Sequence, residues 1–178
     1  MIQFPPIPSW DTLHPLIIHF PIALLFIAPV FILLGSLLKP EKGRAYLIAA
    51  LVLMAAGTAS IFMAVQTGEA AGKLAERTPA INAVLEHHEQ LAEATQVGFS
   101  VLTVIFTAIL LVPRLLRSNS SRLVATVLPL VFLVFYGAGI LLLTNTAHDG
   151  GRLVHEFGVK ALVTPGPAPQ SAAMEDRD

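Results

Sequence analysis

The sequence predicts an all-α integral membrane protein, a four-transmembrane-helix bundle with both termini extracytoplasmic. Composition is the first sign. Of 178 residues, 54% are hydrophobic and 13% charged, against about 25% charged in ordinary soluble domains, and the mean hydropathy is +0.71. The second sign is four runs long enough to cross a hydrocarbon core of about 30 Å, at roughly 15–38, 45–67, 91–112 and 123–146. The third is the placement of cations. KPEKGR, between the first two runs, carries Lys39, Lys42 and Arg44, and RLLRSNSSR, between the last two, carries Arg114, Arg117 and Arg122. Short loops rich in Lys and Arg stay in the cytoplasm, so both termini and the connection from Gly68 to about Gln90 lie outside. Residues 1–160 form one membrane domain, and 161–178 read as a flexible extracytoplasmic tail rich in Pro, Ala and charge.

Span one opens after Asp11 and Thr12, which can cap a helix, with Pro15 at an early position where its missing N–H costs nothing. The leader MIQFPPIPSWD has no Lys or Arg, and the apolar run exceeds the usual core of about 7–15 residues in a cleaved signal, so this segment is expected to be retained. Pro21 and Pro29 deprive the carbonyls of Ile17 and Leu25 of their helical partners; in lipid, neighbouring groups must then satisfy them. Span two is rich in small residues, with Ala56, Gly57, Ala59 and Ser60 allowing close helix contact. Thr78 followed by Pro79 starts the next helix, which is expected to run unbroken through INAVLEHHEQLAEATQVGFS into span three. Span four is expected to end at Gly150 and Gly151, after which RLVHEFG turns back along the outer surface.

All six histidines fall on the extracytoplasmic side of this topology. His14 and His19 open span one, His87 and His88 precede span three, and His148 and His155 lie at and beyond the end of span four. Acidic residues follow the same bias: of 12, only Glu41 lies in a predicted cytoplasmic loop. Helical phase divides the histidines further. His88 shares a stripe with Ile81, Val84, Leu85, Leu91, Ala92 and Thr95 and should face the bundle, whereas His87 should be solvated. His14 and His19, five residues apart, point about 140° from each other, so both cannot ligate one centre from a regular helix without strain; they serve two sites, or one ligates while the other hydrogen-bonds.

Ionisable groups in spans are costly and usually face the bundle interior, where they have a task, although an interfacial imidazole near a helix end often needs no such explanation. Three chemistries fit the set. The first is haem b, one or two groups, held noncovalently by histidines from two helices. Aromatics such as Phe20, Phe26, Phe99 and Tyr136 could pack on the ring, and Arg152 or Lys73 could meet the propionates. His19, His88 and His148 are the first candidates for axial ligands, followed by His14 and His155. The second is a copper or zinc site built from three or four of these imidazoles, with Glu89 and Asp149 as supports. The third is proton relay by His with Glu69, Glu89 and Glu93. Zero cysteines exclude disulfides, iron–sulfur ligation and covalent CxxCH haem from this chain. A net charge of −1 and a pI near 6.6 give no sign of nucleic-acid binding. Nothing in the spacing resembles a carboxylate di-iron bundle or a nucleophile with its base, so nothing in the pattern points to hydrolysis.

HPLIIHFPIALL, the TG at 67–68, the histidine at 87 or 88 and HDGGRLVHEFGV resemble a bacterial family of four-span membrane domains of unknown function, over about residues 13–160. That resemblance implies a bacterial cytoplasmic-membrane location and, because the domain occurs fused to c-type cytochrome or Rieske domains, membrane electron transfer. The partners it implies are such a redox subunit, a respiratory or photosynthetic complex, and a quinone as a candidate carrier. A non-redox scaffold subunit of such a complex is the alternative. His14 and His19 match the opening motif, His88 the central histidine, and His148, Gly150, Gly151 and His155 the closing one. One departure concerns the last: relatives read LVYxHG where this chain has LVHEFG, so Phe157 occupies the family's histidine position.

Overall fold

The computed structural model describes residues 9–115 and 126–159. The predicted loop beyond residue 115 and the predicted tail at 161–178 lie outside the described residues. A 3-10 turn at Trp10–Thr12 leads into α1 (His14–Ile17), α2 (His19–Leu37), α3 (Pro40–Gly72), α4 (Pro79–Leu115) and α5 (Leu128–His155). Four stretches are long and apolar enough to cross a membrane, His14–Leu37, Pro40–Gly72, Pro79–Pro113 and Leu128–His155, and the described residues contain no strand. The predicted bundle is therefore present. Its helices extend further than the apolar runs, because charged turns of α4 continue the helix from Pro79.

The start of span one differs from expectation. Thr12 does not cap α1; its hydroxyl donates to the Ser9 carbonyl at 2.9 Å, and Leu13 precedes the helix with no side-chain cap. Pro15 does lie in the first turn, as its fixed φ favours. Ile18 then separates α1 from α2, one turn before Pro21. By contrast, Thr78 behaves as predicted, its hydroxyl accepting the Ile81 N–H at 3.3 Å, one of the donors a helix start leaves unpaired.

Pro29 is accommodated by a specific partner. Its ring leaves the Leu25 carbonyl without an intrahelical donor, and the Tyr136 hydroxyl of α5 donates to that oxygen at 2.8 Å. Tyr136 is 1% exposed and packs edge-on against Phe99 of α4 with ring centroids 5.5 Å apart. A central core of Leu25, Met54, Phe99, Phe106, Phe132 and Tyr136 thus joins all four spans. The threonine pair Thr58 and Thr103 adds an α3–α4 hydrogen bond of 2.9 Å, the kind of polar contact that helps hold helices together in lipid.

At the end opposite the histidines, α2 and α3 meet backbone to backbone. A Cβ on Gly43 would lie 2.2 Å from the Gly35 carbonyl oxygen, and one on Gly35 would lie 2.7 Å from the Leu47 side chain. No rotamer can relieve a clash with backbone. Gly43→Ala is therefore expected to part this hairpin and cost about 3 kcal/mol. Gly137→Ala, where a Cβ meets nothing within 4 Å, should cost nothing and can add up to about 1 kcal/mol through helix propensity. Unfolding of detergent-solubilised protein followed by circular dichroism checks both.

The end of α5 corrects the sequence reading. Gly150 and Gly151 do not stop the helix, which runs on to His155, so RLVHEFG does not form a separate segment folded back along the surface. The stop is Gly158, at φ 66°, with the Val159 N–H closing on the Leu153 carbonyl at 2.9 Å. The bond spans seven residues, one more than the commonest glycine closure, but it serves the same end: a left-handed glycine stops the helix and an apolar residue follows. Val159 and Phe157 accordingly pack on a second cluster of Ile81, Val84, Leu85 and Leu153. This small core ties the start of α4 to the end of α5.

Candidate functional site

The inward face of α4 carries Ile81, Val84, Leu85, Thr95 and Phe99 in the buried interior. His88 lies on this stripe and is half-buried, while His87 is exposed. The His88 Nδ1 lies 2.9 Å from the Thr146 carbonyl oxygen of α5. A carbonyl can only accept, so Nδ1 carries the proton and, in the neutral ring, Nε2 keeps its lone pair. Gly150, one turn beyond Thr146, passes against the same ring: a Cβ there would stand 3.2 Å from His88 Cε1. The Thr146 hydroxyl pairs with Thr95 at 2.9 Å, which fixes the two helices at the level of the histidine.

The same construction occurs in the first hairpin. His14, half-buried at the head of α1, brings Nδ1 to 2.9 Å from the Ala64 carbonyl oxygen of α3, with the Thr67 hydroxyl at 3.3 Å. Its Nδ1 is likewise the protonated nitrogen and its Nε2 the free one. Gly68, one turn beyond Ala64, abuts the ring, and a Cβ there would lie 2.9 Å from His14 Cε1. Neither Nε2 makes a hydrogen bond among the described residues. His14 lies against the last turns of α3 and His88 in the early turns of α4 against the last turns of α5, so both imidazoles stand at the same end of the bundle. The fold thus brings together His14 and His88, one from each hairpin and each held by a carbonyl of its neighbour.

The other predicted candidates are placed differently. His19, His148 and His155 are exposed. Helix phase explains this: Thr146 faces inward, and His148, two residues on, points about 200° away. His19 follows the break at Ile18 and lies on the outer side of α2 beside the exposed Phe20. Phe99 and Tyr136 pack in the central core, and Phe26 is exposed. Arg152 is engaged by its own helix, with Asp149 at 3.5 Å and Glu156 at 3.0 Å.

Asp149, which the sequence marks as a support for a metal site, has a different set of partners. It is 5% exposed, accepts from Nδ1 of His87 at 2.5 Å and pairs with Arg152. A buried carboxylate needs such partners to hold its charge. His87 is therefore surface-exposed yet anchored, a role that its solvated phase did not reveal. Among the described residues no group of three or more His, Cys, Asp or Glu could hold a metal ion.

These features define a multi-pass α-helical membrane protein with two anchored imidazoles at one end of its bundle. A family model described as predicted membrane protein (DUF2231) matches residues 10–162, and the chain belongs to that family. No curated protein and no solved structure matches it.

Proposed function

We propose that this chain is a b-type cytochrome-like electron-transfer subunit of a bacterial cytoplasmic membrane, holding one haem b between His14 and His88 near the extracytoplasmic face. The observation that carries the reading is the pair of half-buried imidazoles on separate hairpins, each donating Nδ1–H to a backbone carbonyl. That second bond is what ligating histidines characteristically make: it fixes the tautomer, orients the ring and raises the basicity of the other nitrogen.

The donor set suits haem in particular. Zinc and copper sites draw three or four ligands from the protein, whereas a porphyrin brings four nitrogens of its own and asks a helical bundle for two axial imidazoles. When bound, the haem supplies a carrier that takes up and releases one electron. The residues of this chain hold and orient it. Ala64 and Thr146 fix the two imidazoles, and the cluster of Leu85, Leu153, Phe157 and Val159 covers the neighbouring helix ends with apolar side chains. With His14 and His88 both holding it, the group would supply electron transfer to a redox partner protein rather than bond-making on a substrate. The extracytoplasmic placement rests on the cationic Lys39, Lys42 and Arg44 at the opposite end of the bundle.

The test is a pyridine-haemochrome assay on protein purified from haem-replete cells. The expected result is b-type haem at one per chain. Colourless, iron-free, folded protein would overturn the proposal.

A further inference from the structure

Gly68 and Gly150 occupy equivalent places. Each lies four residues after the residue whose carbonyl receives a histidine, Ala64 before Gly68 and Thr146 before Gly150, and each is the point where a helix backbone touches the imidazole ring. A helix turn of about 3.6 residues puts the carbonyl and the glycine one above the other on a single face. The ring is then located by two contacts: the carbonyl fixes where Nδ1 is, and the bare Cα lets the Cε1 edge come down onto the helix. Cε1 lies between the two nitrogens, so displacing it swings Nε2.

We propose that Gly68 and Gly150 are the seats that position His14 and His88 for axial ligation, each hairpin forming one complete half-site of imidazole, carbonyl and glycine. The proposal rests on the haem reading above and assigns to the glycines the aim of Nε2, not contact with the iron. The two seats are not equally tight. A Cβ would stand 2.9 Å from Cε1 at Gly68 and 3.2 Å at Gly150. The first is closer than real Cβ contacts run, so the His14 ring must move; the second asks a smaller shift. Gly137 and Gly151 of α5, where a Cβ meets nothing within 4 Å, are built-in controls for the effect of a methyl group on the helix itself.

The experiment is coordination-state spectroscopy of Gly68→Ala, Gly150→Ala, Gly137→Ala and Gly151→Ala, with carbon monoxide as the probe of an open iron position in the reduced protein. Wild type, Gly137→Ala and Gly151→Ala are expected to be six-coordinate, low-spin and inert to carbon monoxide. Gly68→Ala is expected to retain haem through His88 but to lose the low-spin spectrum and bind carbon monoxide, with a smaller five-coordinate fraction in Gly150→Ala. Far-ultraviolet circular dichroism establishes that each variant is folded, and if Gly68→Ala is not, Gly150→Ala decides on the same criterion. A folded Gly68→Ala that stays low-spin and inert overturns the seat proposal while leaving haem binding intact. Wild type with no haem overturns the haem reading itself.

Discussion

Alanine at position 14 or 88 is expected to remove most of the bound haem or convert what remains to a high-spin form, whereas alanine at 19, 148 or 155 should leave haem content and spectrum near wild type. The contrast follows from placement. His14 and His88 have Nδ1 tied to the carbonyls of Ala64 and Thr146 and a free Nε2, while the other three rings are exposed. If His14 and His88 hold the proposed haem, losing either imidazole would remove half of the protein's grip on the iron, and the effect should be large at either position because the two half-sites share one construction. Absorption spectra normalised to protein, with a check by size-exclusion chromatography that each variant remains folded, provide the measurement. Equal losses on replacing His19 or His148 would show that the ligands come from the outer face.

Tyr136→Phe is expected to destabilise the bundle by about 1–2 kcal/mol, the cost of stranding a buried carbonyl set against the modest net strength of hydrogen bonds within membranes. The hydroxyl serves one acceptor, the Leu25 carbonyl that Pro29 leaves without a helical donor. A double-mutant cycle isolates that relation. In a Pro29→Ala background the amide of residue 29 supplies the missing donor, so removing the hydroxyl should then cost clearly less than in the parent. Unfolding midpoints of the four proteins in mixed detergent measure the coupling. Equal costs in both backgrounds would mean that the hydroxyl does not answer the carbonyl freed by Pro29, and no cost in either would leave Tyr136 acting through ring packing on Phe99 and Phe132 alone.

The spans were legible because hydrocarbon thickness converts directly into run length, and the start of α4 was legible because Thr78 and Pro79 carry a recognised start signal. Its inward stripe, with His88 among Val84, Leu85 and Thr95, could be read from phase since polar residues mark the opposite side. Span one offered no such contrast. LHPLIIHFPIALLF is apolar nearly all round, so the angle between His14 and His19 was readable but which of them turns inward was not. The stop at Gly158 was hidden by the more obvious Gly150–Gly151 pair, whose glycines are explained instead by the ring of His88 and by open space. The acceptors of both imidazoles were beyond reach for a different reason: they are backbone carbonyls, which every residue carries, so the sequence does not mark Ala64 or Thr146 as partners. The TG at 67–68 and the HDGG motif did hold both seat glycines, visible as letters but not as contacts.

The opening segment's imidazoles thus have separate fates. His14 turns into the bundle and finds α3, and His19 faces outward one break later. The hairpins meet at this end where Gly72 of α3 packs against Leu85 of α4, and the proposed haem would add an iron shared by His14 and His88. Electron paramagnetic resonance of the oxidised, purified protein tests this most directly. A single low-spin ferric haem, absent from the His14→Ala and His88→Ala variants, is the predicted result; a high-spin signal in the wild type, or a low-spin signal that survives both substitutions, would contradict it.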